Sequence, residues 1–227
     1  MTLSLAAISR DGQTLGAAIA SSSPAVAARC VYMRSGTGVV LTQNLTDPRL
    51  GPRGLDLLDG GLDAEAAIER LMRDAPGAEH RQVAVIDRHG RTGQYSGAQA
   101  LAVHAAARGP GVVAAGNLLA SPLVPGAMVD AFSAAPVAEP LAARLLAGLE
   151  AGLAAGGESA GVRAAGVVTI GAEPWPTVDL RVDWSAAPVA ELRSLWELWR
   201  PQAHVYVQRA LDPESARPYE EAHNQPS

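Results

Sequence analysis

Thr2 is where the sequence MTLSLAAISRDGQTLGAAIASSS could carry chemistry. Once Met1 is removed, this residue presents a free α-amine beside its own hydroxyl. A hydroxyl is a weak nucleophile until a base takes its proton, and a terminal amine with an ordinary pKa near 8 can be that base. Processing enzymes generally allow removal of the initiator before a small residue such as Thr. The same threonine also reads as the plain start of a strand, where β-branched residues are common, and both readings stand.

Other polar residues sit where a site could be completed. Gln43 and Asn44, in TQNLTDPRLGPRG, follow a buried-looking strand and are candidates for contacts to a substrate amide. That stretch is no phosphate loop, because no Gly-Lys-Ser/Thr follows. In AAGN, Gly116 and Asn117 could offer a backbone N–H and a side-chain amide to a developing oxyanion, or could be a simple turn. Glu150, Arg163 and Asp179 are charges beside apolar runs, which fits either an internal ion-pair network or a site floor. The five histidines show no metal-ligand spacing, so neither metal nor cofactor is expected. Cys30, the single cysteine, reads as a buried inert thiol, with a Cys30–His80 or Cys30–His104 pair as the alternative.

The elements that must position these residues follow from the apolar pattern. LSLAAIS and LGAAIASSS flank an Asp-Gly turn and predict a hairpin over Thr2–Ser9 and Leu15–Ser22, with a third strand at Gly38–Gln43. A short helix near Leu55–Leu58 and a second one capped by Asp63 come next. Strand signals return at Gln82–Asp87, Arg91–Gly97, Gln99–Ala105 and Gly111–Ala115. Helices are predicted over Val124–Ala134 and Ala138–Ala154. Strands at Gly161–Gly171 and Thr177–Trp184 precede a last helix, Val189–Trp199, with Leu192, Leu195, Trp196 and Leu198 inward. This segregated order differs from βαβ alternation and fits two mostly antiparallel sheets with helices outside them, an α+β fold. One domain over residues 1–200 and a loose C-terminal extension over 201–227 are expected.

Composition bounds the partners. A chain of 227 residues with a net charge of −5 and scattered arginines does not suit nucleic acid. No apolar run of about 18 residues predicts a membrane span, and Arg10, Asp11 and Gly12 interrupt any signal-peptide pattern, so a cytoplasmic location is expected. A homodimer through Trp196 and Trp199 on the last helix is a further expectation, against an inward Trp196.

Taken together, the opening strand, TQNLTDPRLGPRGLDLL, HRQVAVIDRHGRTGQYSG, AAGNLLASP, LEAGLAAGGESAGVRAAGV and VDLRVDWSAAPVAELRSLWEL resemble the bacterial and archaeal family DUF1028, from Thr2 to about Leu198. That family is grouped with the N-terminal nucleophile (Ntn) hydrolase-like proteins. The resemblance implies a four-layer αββα sandwich and an amidohydrolase in which Thr2 attacks a small amide substrate. Asn117 with the backbone at Gly116 would steady the oxyanion, and Arg163 or Glu150 would hold the substrate or the amine. A lysine assists some Ntn enzymes, but this chain has none, so any positive charge comes from arginine or the terminal amine. The alternative is a non-catalytic small-ligand-binding protein that retains the fold.

Overall fold

Along the first strand, Leu3, Leu5 and Ala7 alternate with Thr2, Ser4, Ala6 and Ile8, and the computed structural model, which describes residues 2–214, buries both sets except the half-buried Ile8 at the strand end. That strand, β1 (Thr2–Ile8), is central in a six-stranded antiparallel sheet ordered β10-β9-β2-β1-β8-β7. Its members are β2 (Leu15–Ser21), β7 (Ala105–Gly109), β8 (Val112–Asn117), β9 (Ala164–Ile170) and β10 (Val178–Val182). A four-stranded antiparallel sheet is ordered β3-β4-β5-β6, from β3 (Val31–Arg34), β4 (Gly38–Asn44), β5 (Arg81–Asp87) and β6 (Thr92–Ser96).

Period-two alternation decides which layer each side chain enters. Leu3, Leu5 and Ala7 pack with α4 (Val124–Ala134), α5 (Leu141–Ala154) and α6 (Pro188–Trp199) outside the larger sheet. Val40, Val83 and Val85 pack with α2 (Leu50–Asp59) and α3 (Ala64–Arg73) outside the smaller one. Between the sheets lie Ala6, Ala17, Leu41, Ala84, Ile86, Val113 and Ala115. The result is a four-layer αββα sandwich. Its outer layer closes tightly because Gly148 and Gly152, one turn apart on α5, leave no room for a side chain. A Cβ on Gly148 would lie 2.7 Å from Leu5 and one on Gly152 2.6 Å from Met128.

Several elements depart from the sequence expectation. The run Gln99–Ala105 is not a strand. Ala102 takes a left-handed φ of 46°, and backbone bonds tie Leu101 and Val103 to Leu118 and Leu119, so the ladder begins only at Ala105. The helix expected from Ala138 starts at Leu141, because Pro140 takes the N-cap position. On α6, Leu192 and Trp196 are buried, but Leu195 and Leu198 are 36% and 66% exposed. The inward stripe of that helix runs through Val189, Leu192 and Trp196, and the two leucines flank it. A buried Trp196 is not available to a dimer surface. Helix α1 (Val26–Cys30) and edge strand β3 were not apparent from the sequence. Helix α7 (Ala203–Leu211) falls within the expected extension 201–227, where Tyr206 stacks on Trp199 at 4.9 Å. Residues 215–227 of that extension lie outside the described residues. No helix among the described residues is long and apolar enough to cross a membrane.

Candidate functional site

The layer between the sheets is apolar along most of its length and turns polar at one end. There the inward positions of four strands are Thr2 and Ser4 on β1, Ser21 on β2, Gln43 on β4 and Gln82 on β5, joined by Asn117 on β8. All are buried: Thr2 is 3% exposed and Asn117 fully enclosed. A buried polar group is costly without a partner, and most of these groups find theirs within the cluster. Ser4 Oγ donates to Gln43 Oε1 at 2.7 Å, and Gln43 Nε2 donates to Gln82 Oε1 at 2.7 Å. Asn117 Nδ2 donates to the same Oε1 at 3.0 Å, while Gln82 Nε2 reaches the Gly116 carbonyl at 2.9 Å and Ser96 Oγ at 3.0 Å.

Thr2 occupies the edge of this cluster. It lies opposite Ser21 on one side and Asn117 on the other, and its hydroxyl donates to Ser21 Oγ at 3.4 Å. The Asn117 Oδ1 atom is buried and has no hydrogen-bond partner. The residue after it, Leu118, adopts a left-handed φ of 50°, a conformation costly for a non-glycine residue and frequent at functional sites.

An arch of chain, residues 157–163, crosses the sheet end beyond Thr2. On one side it pairs with the residues after β8: Ala120 N donates to Gly157 O and Ser159 N to Leu118 O, both at 3.0 Å. On the other side Arg163 N donates to Ser21 O at 2.7 Å. Because β1 lies between β2 and β8, the arch spans the space ahead of it. Glu158, 4% exposed, pairs with Leu119 and accepts the Ser22 amide at 2.8 Å through Oε2. Its Oε1 is buried with no partner, and so is Ser22 Oγ.

The structure therefore gathers Thr2, Asn117, Gly116 and Gln43 at one sheet end and puts Arg163, exposed, on the rim. Gly116 is held between β1 and β7, with its carbonyl taken by Gln82. Asn44 is adjacent but serves the scaffold. At a left-handed φ of 72°, it donates to the His80 carbonyl and accepts the Leu101 amide. Glu150 is elsewhere, on the outer helical layer, in a two-point pair with Arg193 at 2.8 Å. Asp179 is on edge strand β10, paired with Arg181 at 2.7 Å. Cys30 is buried against Thr46 Oγ1 at 3.6 Å, and burial raises its thiol pKa, which keeps it protonated. Ser4, Ser21, Gln82 and Glu158 were missed in the sequence. The strand period from Thr2 points to Ser4, and the hairpin register points to Ser21. Nothing local marks Glu158, whose position depends on the arch.

Among the described residues no group of three His, Cys, Asp or Glu side chains is placed to hold a metal ion. What the arrangement offers is a hydroxyl at the start of a buried strand, an amide oxygen on Asn117 opposite it and a carboxylate oxygen on the arch residue Glu158, the two oxygens lacking donors.

The sequence model of DUF1028, described as a family of unknown function, matches residues 2–192. A crystal structure of a DUF1028 protein from Silicibacter pomeroyi is similar with a TM-score of 0.80 and 26% identity, over 87% of this chain and 88% of that one. Anbu, an ancestral beta-subunit from Yersinia bercovieri, is similar over 91% of this chain and 97% of that one, with a TM-score of 0.42 and 11% identity. No curated protein matches the chain.

Proposed function

Because the chain belongs to the DUF1028 family, whose function is unknown, its activity is read from its own residues, and we propose an amidohydrolase of the N-terminal nucleophile type, acting on a small amide through Thr2. One observation carries the reading. Thr2 starts a central strand inside a buried polar cluster in which the Glu158 Oε1 and Asn117 Oδ1 atoms have no donor. Severing the bond ahead of Thr2 supplies the missing donors in the form of an α-amine.

In this mechanism the Thr2 amine accepts the hydroxyl proton as Oγ1 forms a bond to the substrate carbonyl carbon. Glu158 and Asn117 Oδ1 hold the resulting ammonium. The second hydrogen on Asn117 Nδ2, beyond its bond to Gln82, faces the oxyanion. The ammonium then returns its proton to the leaving amine as the C–N bond breaks. Water, deprotonated by the same amine, hydrolyses the ester. Gln43 acts through Ser4 and Gln82 to keep the cluster in register, and Arg163 on the rim meets the distal part of the substrate.

A second reading, a ligand-binding protein without catalysis, is favoured by one feature: Thr2 is 3% exposed and its hydroxyl is turned to Ser21. The two are separated by preparing the protein with Thr2 as its first residue and treating it with a β-lactone, followed by peptide mapping. The hydrolase reading expects acylation at Thr2 and none in Thr2→Ala or in protein that retains Met1. A Thr2-first protein that stays unmodified while folded would discard the hydrolase and leave the binding protein.

A further inference from the structure

A buried arginine with no acid beside it lies at the other end of β1. Arg144, in the first turn of α5, is 8% exposed, and its guanidinium carbon sits 4.2 Å from the centre of the Phe132 ring. Its Nη2 donates to the Phe132 carbonyl at 3.2 Å, but Nε is buried without any partner. None of the carboxylates among the described residues forms an ion pair with it. A charge taken out of water this far is costly unless it is matched. The charge that acts on it is Arg10, which is of the same sign. Burial first, and then Arg10, lower the Arg144 pKa.

This arginine forms a wall of a cleft of about 670 Å³, together with Arg10, Arg200 and His204. Trp196 lines the same cleft, and its Nε1 is buried and also without a partner. The N-terminus of the fourteen-residue helix α5 opens here as well. Pro140 at its N-cap has no side-chain acceptor for the first amides, and such amides carry partial positive charge. Asp11, on the rim, turns its carboxylate into its own turn, accepting from Ser9 Oγ and the Gln13 amide. Glu139 is the one further acid on the wall. Leu141, Val178 and the Trp196 ring give the cleft an apolar side. These groups lie beside the β1–β2 turn, roughly 20 Å from Thr2 at the rise of an extended strand, so the cleft is separate from the proposed hydrolytic site.

We propose that this cleft binds a small anion, a carboxylate or phosphate group carried on an apolar or aromatic body. Arg144, Arg10 and the first turn of α5 receive the charge, and Trp196 Nε1 supplies a further donor. Two guanidinium groups and a helix N-terminus that converge on one cavity suit an oxyanion of either type.

The test is calorimetric titration of the full chain at constant ionic strength with phenyl phosphate, with benzoate and with the uncharged benzyl alcohol, and tryptophan fluorescence as a second readout. Saturable one-site binding of phenyl phosphate or benzoate is expected, and the tighter of the two identifies the head group. Benzyl alcohol is expected not to bind. Arg144→Gln should weaken the anion about tenfold or more, and Arg10→Gln about fivefold. Arg10 is exposed, so that variant tests the idea even if Arg144→Gln does not fold, and Trp196→Phe gives a third arm through the lost donor. The proposal is overturned if neither anion saturates, if benzyl alcohol binds as well as they do, or if binding survives unchanged in the folded variants.

Discussion

Gln82 links three strands through one amide. Its oxygen accepts from Gln43 and Asn117, and its nitrogen donates to Ser96 and to the Gly116 carbonyl. Truncation to alanine would strand several buried polar atoms at once, so Gln82→Ala is expected to cost about 3 kcal/mol or more in urea unfolding. An exposed control such as Gln13→Ala should change it by less than about 0.5 kcal/mol. Glu158 makes the opposite kind of prediction. In protein that retains Met1, neutralising the carboxylate whose Oε1 is buried without a partner, through Glu158→Gln, is expected to raise the melting temperature. With Thr2 as first residue, the same change removes the partner of an ammonium and is expected to lower it. A shift of the same sign in both backgrounds would refute the role assigned to Glu158. The sequence exposes Thr2, Gly116 and Asn117 as candidates because their types are chemically pointed. It hides Gln82 and Glu158, since a glutamine before an apolar run and a glutamate in a glycine-rich loop look like any solvated residue until the sheet register and the arch bring them together.

The elements reach their places through caps and close approaches that can be tested one at a time. Asp47, 6% exposed, precedes α2 and takes the Arg49 amide at 3.1 Å, its Nε at 2.9 Å and its Nη2 at 2.8 Å. The Arg49 hydrogen bonds hold its carboxyl down to about 2. A lowered folded-state pKa stabilises above the unfolded value, near 3.9, and that stabilisation is lost as pH falls from about 4 through 2. The gain at neutral pH is at most about 2.6 kcal/mol and is reduced because the Arg49 side chain is 74% exposed. Asp47→Asn should therefore lower the urea midpoint at pH 7 and leave it nearly unchanged at pH 2. Two glycines form a matched pair. A Cβ on Gly93 of β6 would lie 2.5 Å from the Ala64 carbonyl at the start of α3, whereas Gly126 on α4 has nothing within 4 Å. Gly93→Ala is expected to destabilise by about 2 kcal/mol or more, and Gly126→Ala to stabilise by up to about 1 kcal/mol. Long periodic elements were legible in the sequence, including the Asp63 cap, whose side chain accepts the Ala66 amide. The short α1, the edge strand β3 and the non-strand run 99–104 were not, because tertiary bonds fix them and their own periodicity does not.

For the molecule as a whole, the segregated order of strands and helices was enough to imply two sheets with helices outside them. The division of the strands between the sheets was not, since β1 and β2 pair with β8 and β9 across most of the chain length, while β3 to β6 form the other sheet. Those distant pairings give the position of β1 a further meaning. Strand β1 lies between one neighbour that follows it directly and another that begins at Val112. In a chain that pairs its strands as they emerge, Thr2 would lie on an open sheet edge until β8 is added; in the finished fold Thr2 is buried and the arch lies across its approach. On the proposed hydrolase reading, removal of the residue before Thr2 would be a race against synthesis. At 5–20 residues per second, a gap of roughly 110 residues leaves about 5–20 s for a peptidase to act. An aminopeptidase added to the folded protein that still carries Met1 is expected to release little methionine, and the same enzyme acting on the urea-unfolded chain to release it fully, so whether a molecule is armed would be decided before its own translation ends.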